Sequence, residues 1–234
     1  MELLRDSLLS AIFLLIYLDP ELLTVVWVSL KVSGISTLIA SLVGIPAGLI
    51  IAQATFPGKR LVLTCLNTLL ALPTVVIGLL VYAFISRRAL LGSLGLLYTQ
   101  EAMIIGQVIL IVPLVTTLAI AAVSKLDGRY RLSAQTLGAD RLQTALVIFR
   151  EARFGIAAAV IAAFGRVIAE VGIGMMLGGN AKGFTRTMTT AMALEYDKGE
   201  YVLAVALGIV LMMIAFGVNL LFHFFQGKVR SDAL

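Results

Sequence analysis

Charge is scarce in this chain: Asp, Glu, Lys and Arg together make up 13% of 234 residues, against 60% hydrophobic. A soluble domain of this length needs far more charged surface, so a water-soluble globule is excluded. Cysteine and histidine are nearly absent, with one of each. The single Cys65 lies in an apolar stretch without a partner, which rules out an intrachain disulfide and leaves a small apolar-phase side chain. The single His223 rules out H-E-x-x-H and every multi-histidine zinc site; it lies among Phe222, Phe224 and Phe225 near a run end, as an interfacial residue would. No segment fits the phosphate-binding pattern G-x-x-x-x-G-K-[ST], and no G-x-S-x-G elbow supports a serine nucleophile. An intramembrane enzyme is the main rival class, but beyond a Ser–His dyad that counting alone leaves open, the sequence offers no catalytic motif and no metal site.

What fills the chain is apolar runs. A spanning helix takes roughly 20 apolar residues, and the runs leave room for five or six spans in one membrane domain covering residues 1–234. Residues 3 to 18 form a short run after Arg5, expected to be a first span, with an interfacial helix as the alternative. No small-x-small cleavage site follows it, which argues against a signal peptide. Asp19-Pro20-Glu21 reads as a tight outer turn with a helix starting at Pro20. The next run, Leu22 to Ala54, is too long to stand upright in a bilayer and must start at the interface or tilt. Leu61 to Ser86 follows, with Pro73 expected to kink it and so able to shape a gate, although such kinks are also common without that role. Further runs cover Glu101 to Ser124, Phe154 to Leu177 and Tyr201 to Phe225. The expected fold is an all-α, polytopic helical bundle of about six spans.

The positive net charge of +5 looks like a nucleic-acid signal until its placement is considered. The basic residues sit at the ends of apolar runs, as membrane orientation requires, so no nucleic-acid partner is expected. Six spans with the amino terminus inside put eleven Lys and Arg in the cytoplasm against five outside. Both termini are then cytoplasmic; if the first run does not span, only the amino terminus moves out.

Two polar segments interrupt the runs. In the first, 125–153, Leu142, Ala145, Leu146 and Phe149 recur at helical spacing while Asp140, Arg141, Gln143 and Arg150 take other faces, and Gly138 marks a turn between two helical pieces. From spacing alone, an ordinary amphipathic interfacial helix accounts for this. The stretch Leu132-Ser133-Ala134-Gln135-Thr136-Leu137-Gly138, with Ile148 ten residues on, also resembles the cytoplasmic loop signature of ABC importer permeases. Ala134, Gly138 and Ile148 match that signature; Leu132 replaces its acidic residue, Ser133 its first alanine, and Arg150-Glu151 its Leu-Pro. The resemblance implies a coupling helix that fits a cleft on a separate ATPase subunit, carried here by Ser133, Ala134, Gly138, Ala139, Asp140, Arg141 and Leu142.

The second segment, 178–200, is expected to be an extracytoplasmic loop rich in Gly and Thr. Phe164 to Gly172, containing Arg166 and Glu170, leads into Gly178-Gly179-Asn180 and Thr185-Arg186-Thr187, then Thr189-Thr190 and Lys198-Gly199-Glu200. This is similar to the molybdate, sulfate and tungstate permeases, most of all to the tungstate branch; Ala169 stands where those relatives carry Gly. Ser29 to Val32 and Leu72 to Gly78 fit the wider group too. Chemically, a tetrahedral dianion needs several donors, which glycine-rich backbone and threonine hydroxyls can supply while Lys182 and Arg186 attract it. Pro73, Asn180, Thr185, Arg186, Thr187 and Thr189 are the candidates for path or gate. For Gly178, Gly179 and Asn180 a purely structural turn serves equally well. Arg166 and Glu170, four apart, share a helix face and are expected to pair, since an unpaired charge in mid-membrane costs at least ~2.5–3.5 kcal/mol. Both a structural clamp and direct substrate contact remain open for this pair, as do a path-facing and a snorkelling role for Lys31.

The resemblance implies a type I ABC importer permease in a prokaryotic inner membrane. It implies a second copy of the chain, two ATPase subunits and an extracytoplasmic oxyanion-binding protein as partners. This chain would hold no cofactor; ATP and Mg would be bound by the partner ATPase. A self-contained channel or secondary transporter is the remaining alternative, opposed by the near absence of intramembrane carboxylates.

Overall fold

The computed structural model describes residues 13, 16, 17 and 19–231, so the expectation of a first span at residues 3–18 falls almost wholly outside the described residues. From Pro20 onward the described chain forms eight α-helices and no strand. The longest early element, α1 (Pro20–Gln53), starts where the sequence indicates. The Asp19 carboxylate accepts from the amides of Glu21 and Leu22 at 2.8 and 3.1 Å, and Pro20 takes the first helical position. Its 34 residues rise about 51 Å, well beyond the ~30 Å hydrocarbon core, so α1 must tilt or project. At its C-terminal end Lys59 Nζ donates to the carbonyls of Ala52 and Ala54 at 3.0 and 2.9 Å, a cation on the orphan carbonyls of the last turn.

The polar side chains of α1 do not argue against burial in a membrane. Ser29, Ser36 and Thr37 return their hydroxyls to carbonyls one turn back, at 2.7–2.9 Å. Ser36 and Thr37 belong to a buried stripe of small residues, from Ser33 through Ala40 to Gly44 and Gly48, that lies along α4 (Gln100–Ser124), whereas Ser29 Oγ accepts from the Met188 amide at 2.7 Å. Where hydrocarbon surrounds helices, close approach through small residues replaces the hydrophobic drive. A Cβ at Gly48 would meet Ala119 Cβ at 2.7 Å and the Thr116 carbonyl at 2.9 Å, so the glycine there is required by contact.

The run 61–86 differs from expectation. It is not one kinked span but two helices, α2 (Lys59–Leu70) and α3 (Thr74–Ile85), bent by 97° at the break. Pro73 is not inside a helix; it is the residue before α3, extended at φ −62° and ψ 134°. The proline cannot donate to the ladder, and the residue ahead of it is pushed out of the helical region, so α2 stops before it. After a 3-10 turn at Gly92–Leu94 the chain enters α4.

Two further boundaries move. Residues 141–168 are one continuous helix, α6, so the polar segment and the run after it share a single rod rather than meeting at residue 153. The end of that run is irregular: α6 ends before Ala169, and after a break the chain turns through a π-helical segment, Gly174–Gly178. The outer segment, read as a loop, contains α7 (Met188–Lys198) before the terminal helix α8 (Tyr201–Ser231). Among the described residues α1, α4 and α8 are long and apolar enough to cross a membrane, and the bent pair α2–α3 makes a fourth candidate. One core joins α1, α3, α4, α6 and the π turn around Val32, Met103, Ile111 and Ile173; a second, smaller one joins α1, α6, α7 and α8 around Met188, Ala191 and Leu207.

Candidate coupling and translocation sites

The segment 125–153 folds as a helix, a tight turn and a second helix: α5 (Arg129–Thr136), the turn at Gly138, then α6. Gly138 sits at φ +83°, the left-handed region that glycine enters without steric cost. The turn closes through Leu137, Gly138 and Ala139, whose amides donate to the carbonyls of Ser133, Gln135 and Ala134 at 3.0–3.1 Å. Asp140 then starts α6 with a capping box: its carboxylate accepts from the Gln143 amide at 2.7 Å, and Gln143 Oε1 accepts from the Asp140 amide at 2.9 Å. Replacing Asp140 by Ala is expected to weaken this start by about 1 kcal/mol. Hydrogen exchange should show it as faster exchange of the amides at 141–144, with α8 unchanged.

The apolar stripe of this segment faces away from the rest of the chain. Thr144, Ile148 and Ala152 turn inward, while Leu142 is 71% exposed, Leu146 56% and Leu137 87%; Ser133 and Arg141 are exposed beside them, and Ala134 is buried. The assembly is tied to α1: Arg131 Nη1 donates to the Gln53 carbonyl at 3.1 Å. Arg131 thus ties α5 to the C-terminal end of α1, while the Gly138 turn joins α5 to α6. Sequence spacing exposed the stripe but not the tether, since nothing local links Arg131 to a carbonyl 78 residues earlier.

On the other side, the threonines and the Gly-Asn turn are brought together, with their donors already engaged. Gly179 and Asn180 adopt φ +67° and +52°, and the turn is closed by Thr185, whose hydroxyl donates to the Gly178 carbonyl at 2.6 Å and accepts from the Ala181 amide at 3.0 Å. Thr187 caps α7 in a second capping box with Thr190, and Thr189 donates to the Glu170 carbonyl at 2.7 Å. All four hydroxyls, Thr185, Thr187, Thr189 and Thr190, are buried. Their hydrogen bonds stay within this chain and hold the 178–200 segment on the bundle. Lys182 and Arg186 are engaged as well. Lys182 Nζ lies 2.6 Å from Glu21 Oε2, and Arg186 Nη1 lies 3.5 Å from Glu21 Oε1. Glu21 was not foreseen as their partner, because 161 residues separate it from Lys182. Arg186 is almost fully buried whereas Glu21 is about one-third exposed. Glu21→Gln is expected to cost about 1 kcal/mol, charged hydrogen bonds being discounted for that exposure. Limited proteolysis at 181–184 should accelerate in the variant.

The expected pairing of Arg166 with Glu170 forms. Arg166 Nη1 lies 3.2 Å from Glu170 Oε2, with Glu170 buried and Arg166 about half exposed. Glu170 Oε1 also accepts from the Ile173 amide at 3.3 Å, so the carboxylate starts the π-turn region as it pairs with the arginine. A Cβ built on Gly172 would meet Thr74 Oγ1 at 3.0 Å and Glu170 Oε1 at 3.3 Å, which places the start of α3, just after Pro73, beside that carboxylate. Lys31 is exposed on α1.

Comparison with known proteins agrees with this architecture. Residues 44–231 match the family described as binding-protein-dependent transport system inner membrane component. The chain belongs to that family. Among its relatives is the tungstate uptake system permease protein of Peptoclostridium acidaminophilum, 38% identical over 97% of this chain and 99% of that protein. The molybdenum transport system permease protein of Escherichia coli (strain K12) is 30% identical over 76% of this chain and 81% of its own. A crystal structure of a bacterial alginate ABC transporter, in complex with its alginate-loaded periplasmic protein, superposes with a TM-score of 0.74 over 93% of this chain and 82% of that one, at 20% identity. Membership makes this chain a multi-pass transport subunit of the membrane rather than an enzyme, with the ABC importer permease fold.

Proposed function

We propose that this chain is the permease subunit of an ATP-driven importer for a tetrahedral oxyanion, with tungstate as its first substrate. The observation that carries it is near end-to-end identity of 38% with a tungstate uptake permease. A molybdenum permease matches less closely and over less of the chain, so molybdate is the second candidate and sulfate or thiosulfate the third.

Two copies of the chain line one pathway, flanked by two ATPase subunits that bind ATP and Mg and fed from outside by an oxyanion-binding protein. The carboxyl terminus is cytoplasmic, in line with the excess of Lys and Arg on that side. Ser133, Ala134, Gly138, Ala139, Asp140, Arg141 and Leu142 form the coupling surface: its exposed leucines suit the cleft of a soluble partner. Closure of the ATPase pair on ATP moves that surface, and with it α6 and, through Arg131, α1. Pro73 at the α2–α3 break, and Asn180, Thr185, Arg186, Thr187 and Thr189 in the outer segment, frame the gate as residues that fix its shape. The chain itself performs no covalent chemistry.

A tagged copy purified in mild detergent should bring down an ATPase subunit in equal amount and a second, untagged copy of itself. Recovery of the permease alone under conditions that keep it monodisperse would favour a self-contained channel. With the cognate binding protein added, tungstate uptake should outcompete molybdate and sulfate; the reverse order would transfer the substrate assignment.

A further inference from the structure

Two irregular stretches of backbone meet inside the bundle. One is the 97° break between α2 and α3; the other is the stretch after α6, where the helix gives way to the π turn. A Cβ on Gly172 would sit 3.0 Å from Thr74 Oγ1, 3.2 Å from Val75 Cγ2 and 3.3 Å from Glu170 Oε1, so both breaks and the buried carboxylate flank one point. Backbone released from helix at membrane depth persists where protein covers it or where it lines a water-filled passage. In transporters, paired helix breaks mark the substrate passage.

Arg166 stands one turn before this point, with 44% of its side chain exposed while that of Glu170 is 3% exposed. Thirteen residues of α6, about 20 Å of helix, separate it from Arg153, so an α6 that enters the bilayer at Arg153 carries it deep into a core of ~30 Å. A guanidinium facing hydrocarbon there would cost at least ~2.5 kcal/mol. Among the described residues, the interiors of α1, α3, α4 and α8 contain no Asp or Glu that a second copy could offer it, and Glu170 is buried against its own chain. Glu170 occupies one edge of the guanidinium through Nη1 and is itself held by the Ile173 amide. The open side of the arginine remains, with donors suited to two oxygens of one anion.

We infer that Arg166 is the oxyanion-contacting cation of the translocation path, positioned by Glu170 where the two helix breaks meet; this rests on the proposed oxyanion import. A dianion crossing a low-dielectric layer needs a cation there, and the guanidinium fork fits tetrahedral oxyanion geometry. Glu170 lowers the net charge of the site, which keeps the contact weak enough for release inward, as conduction demands.

The test uses proteoliposomes containing the permease with its ATPase subunits, plus the binding protein, with tungstate as the probe. Two quantities are read, tungstate accumulated and binding-protein-stimulated ATP hydrolysis. Arg166→Gln should lower tungstate moved per ATP by about tenfold or more while stimulated hydrolysis stays within about twofold of wild type. Arg166→Lys, which keeps the charge but loses the fork, should lose only about threefold. An unchanged ratio in Arg166→Gln would overturn the inference. So would a parallel fall of uptake and hydrolysis in both variants, the outcome for a pair that merely holds the bundle together. Should Arg166→Gln fail to assemble on gel filtration, the Arg166→Lys ratio decides by the same criterion. Wild-type vesicles that take up none of tungstate, molybdate and sulfate would instead sink the importer assignment, and the inference with it.

Discussion

Replacing Gly138 by Val is expected to abolish most ATP-driven uptake while leaving the protein inserted and folded in the membrane. The residue holds φ +83° in open space, with no atom within 4 Å of a built Cβ, so backbone strain rather than a clash decides the outcome. The left-handed conformation costs an L-residue with a side chain roughly 1–2 kcal/mol, and a β-branched one is a steric outlier there. That cost shifts the population of the turn by about a factor of five to thirty. Losing the turn swings α5 relative to α6, breaks the Ala139 amide bond to the Ala134 carbonyl and releases the Arg131 tether to Gln53. Gly138→Asn is the informative companion, because asparagine tolerates the left-handed region. Uptake should fall about tenfold or more in the valine variant and by only a few-fold with asparagine. Equal activity of both variants and wild type in vesicle uptake would remove the coupling role from this turn.

The largest effect on stability is expected at Gly48. Its α-carbon lies against α4, where even a methyl group would come within 2.7 Å of Ala119 Cβ and 2.9 Å of the Thr116 carbonyl. The carbonyl belongs to backbone and cannot rotate aside, so a leucine must push α1 and α4 apart. Overpacking of this kind costs typically about 1–3 kcal/mol, and here it also breaks the most extensive helix pairing in the bundle. Thermal unfolding in detergent should fall by several degrees for Gly48→Leu. Gly34→Leu on the same helix, with nothing within 4 Å of its Cβ, should leave the midpoint near that of wild type. A midpoint for Gly48→Leu equal to that of Gly34→Leu would contradict the packing described.

How far this was legible in the sequence depended on whether the determinant was local. The start of α1 at Asp19-Pro20, the Gly138 turn and the Arg166–Glu170 pair were all readable, because a cap, a left-handed glycine and an i,i+4 pair are decided within one turn of helix. The bend at Pro73 was readable as a proline in an apolar run, but not its size. A kinked span and a 97° break share the same residues until the packing of Gly172 against Thr74 is known. The continuity of α6 through residue 153 was hidden because polarity changes there while helix propensity does not. The local engagement of the threonines at 185–190 is hidden for a related reason. Their hydroxyls suited an anion by composition, but in the fold they serve as caps and turn closers, and Glu21 across the bundle takes the nearby cations. Long-range partners such as Glu21 with Lys182, or Arg131 with Gln53, leave no periodic trace in a single sequence.

The central claim is that this chain provides a route and a handle for a motor held elsewhere. The most direct measurement is tungstate accumulation in proteoliposomes that contain the permease and its ATPase subunits, with binding protein outside and ATP inside. Accumulation against a gradient that requires ATP and the binding protein together, and that stops when ATP is replaced by a non-hydrolysable analogue, is the predicted result. Accumulation by the permease alone, driven by a proton or sodium gradient without ATP, would contradict it.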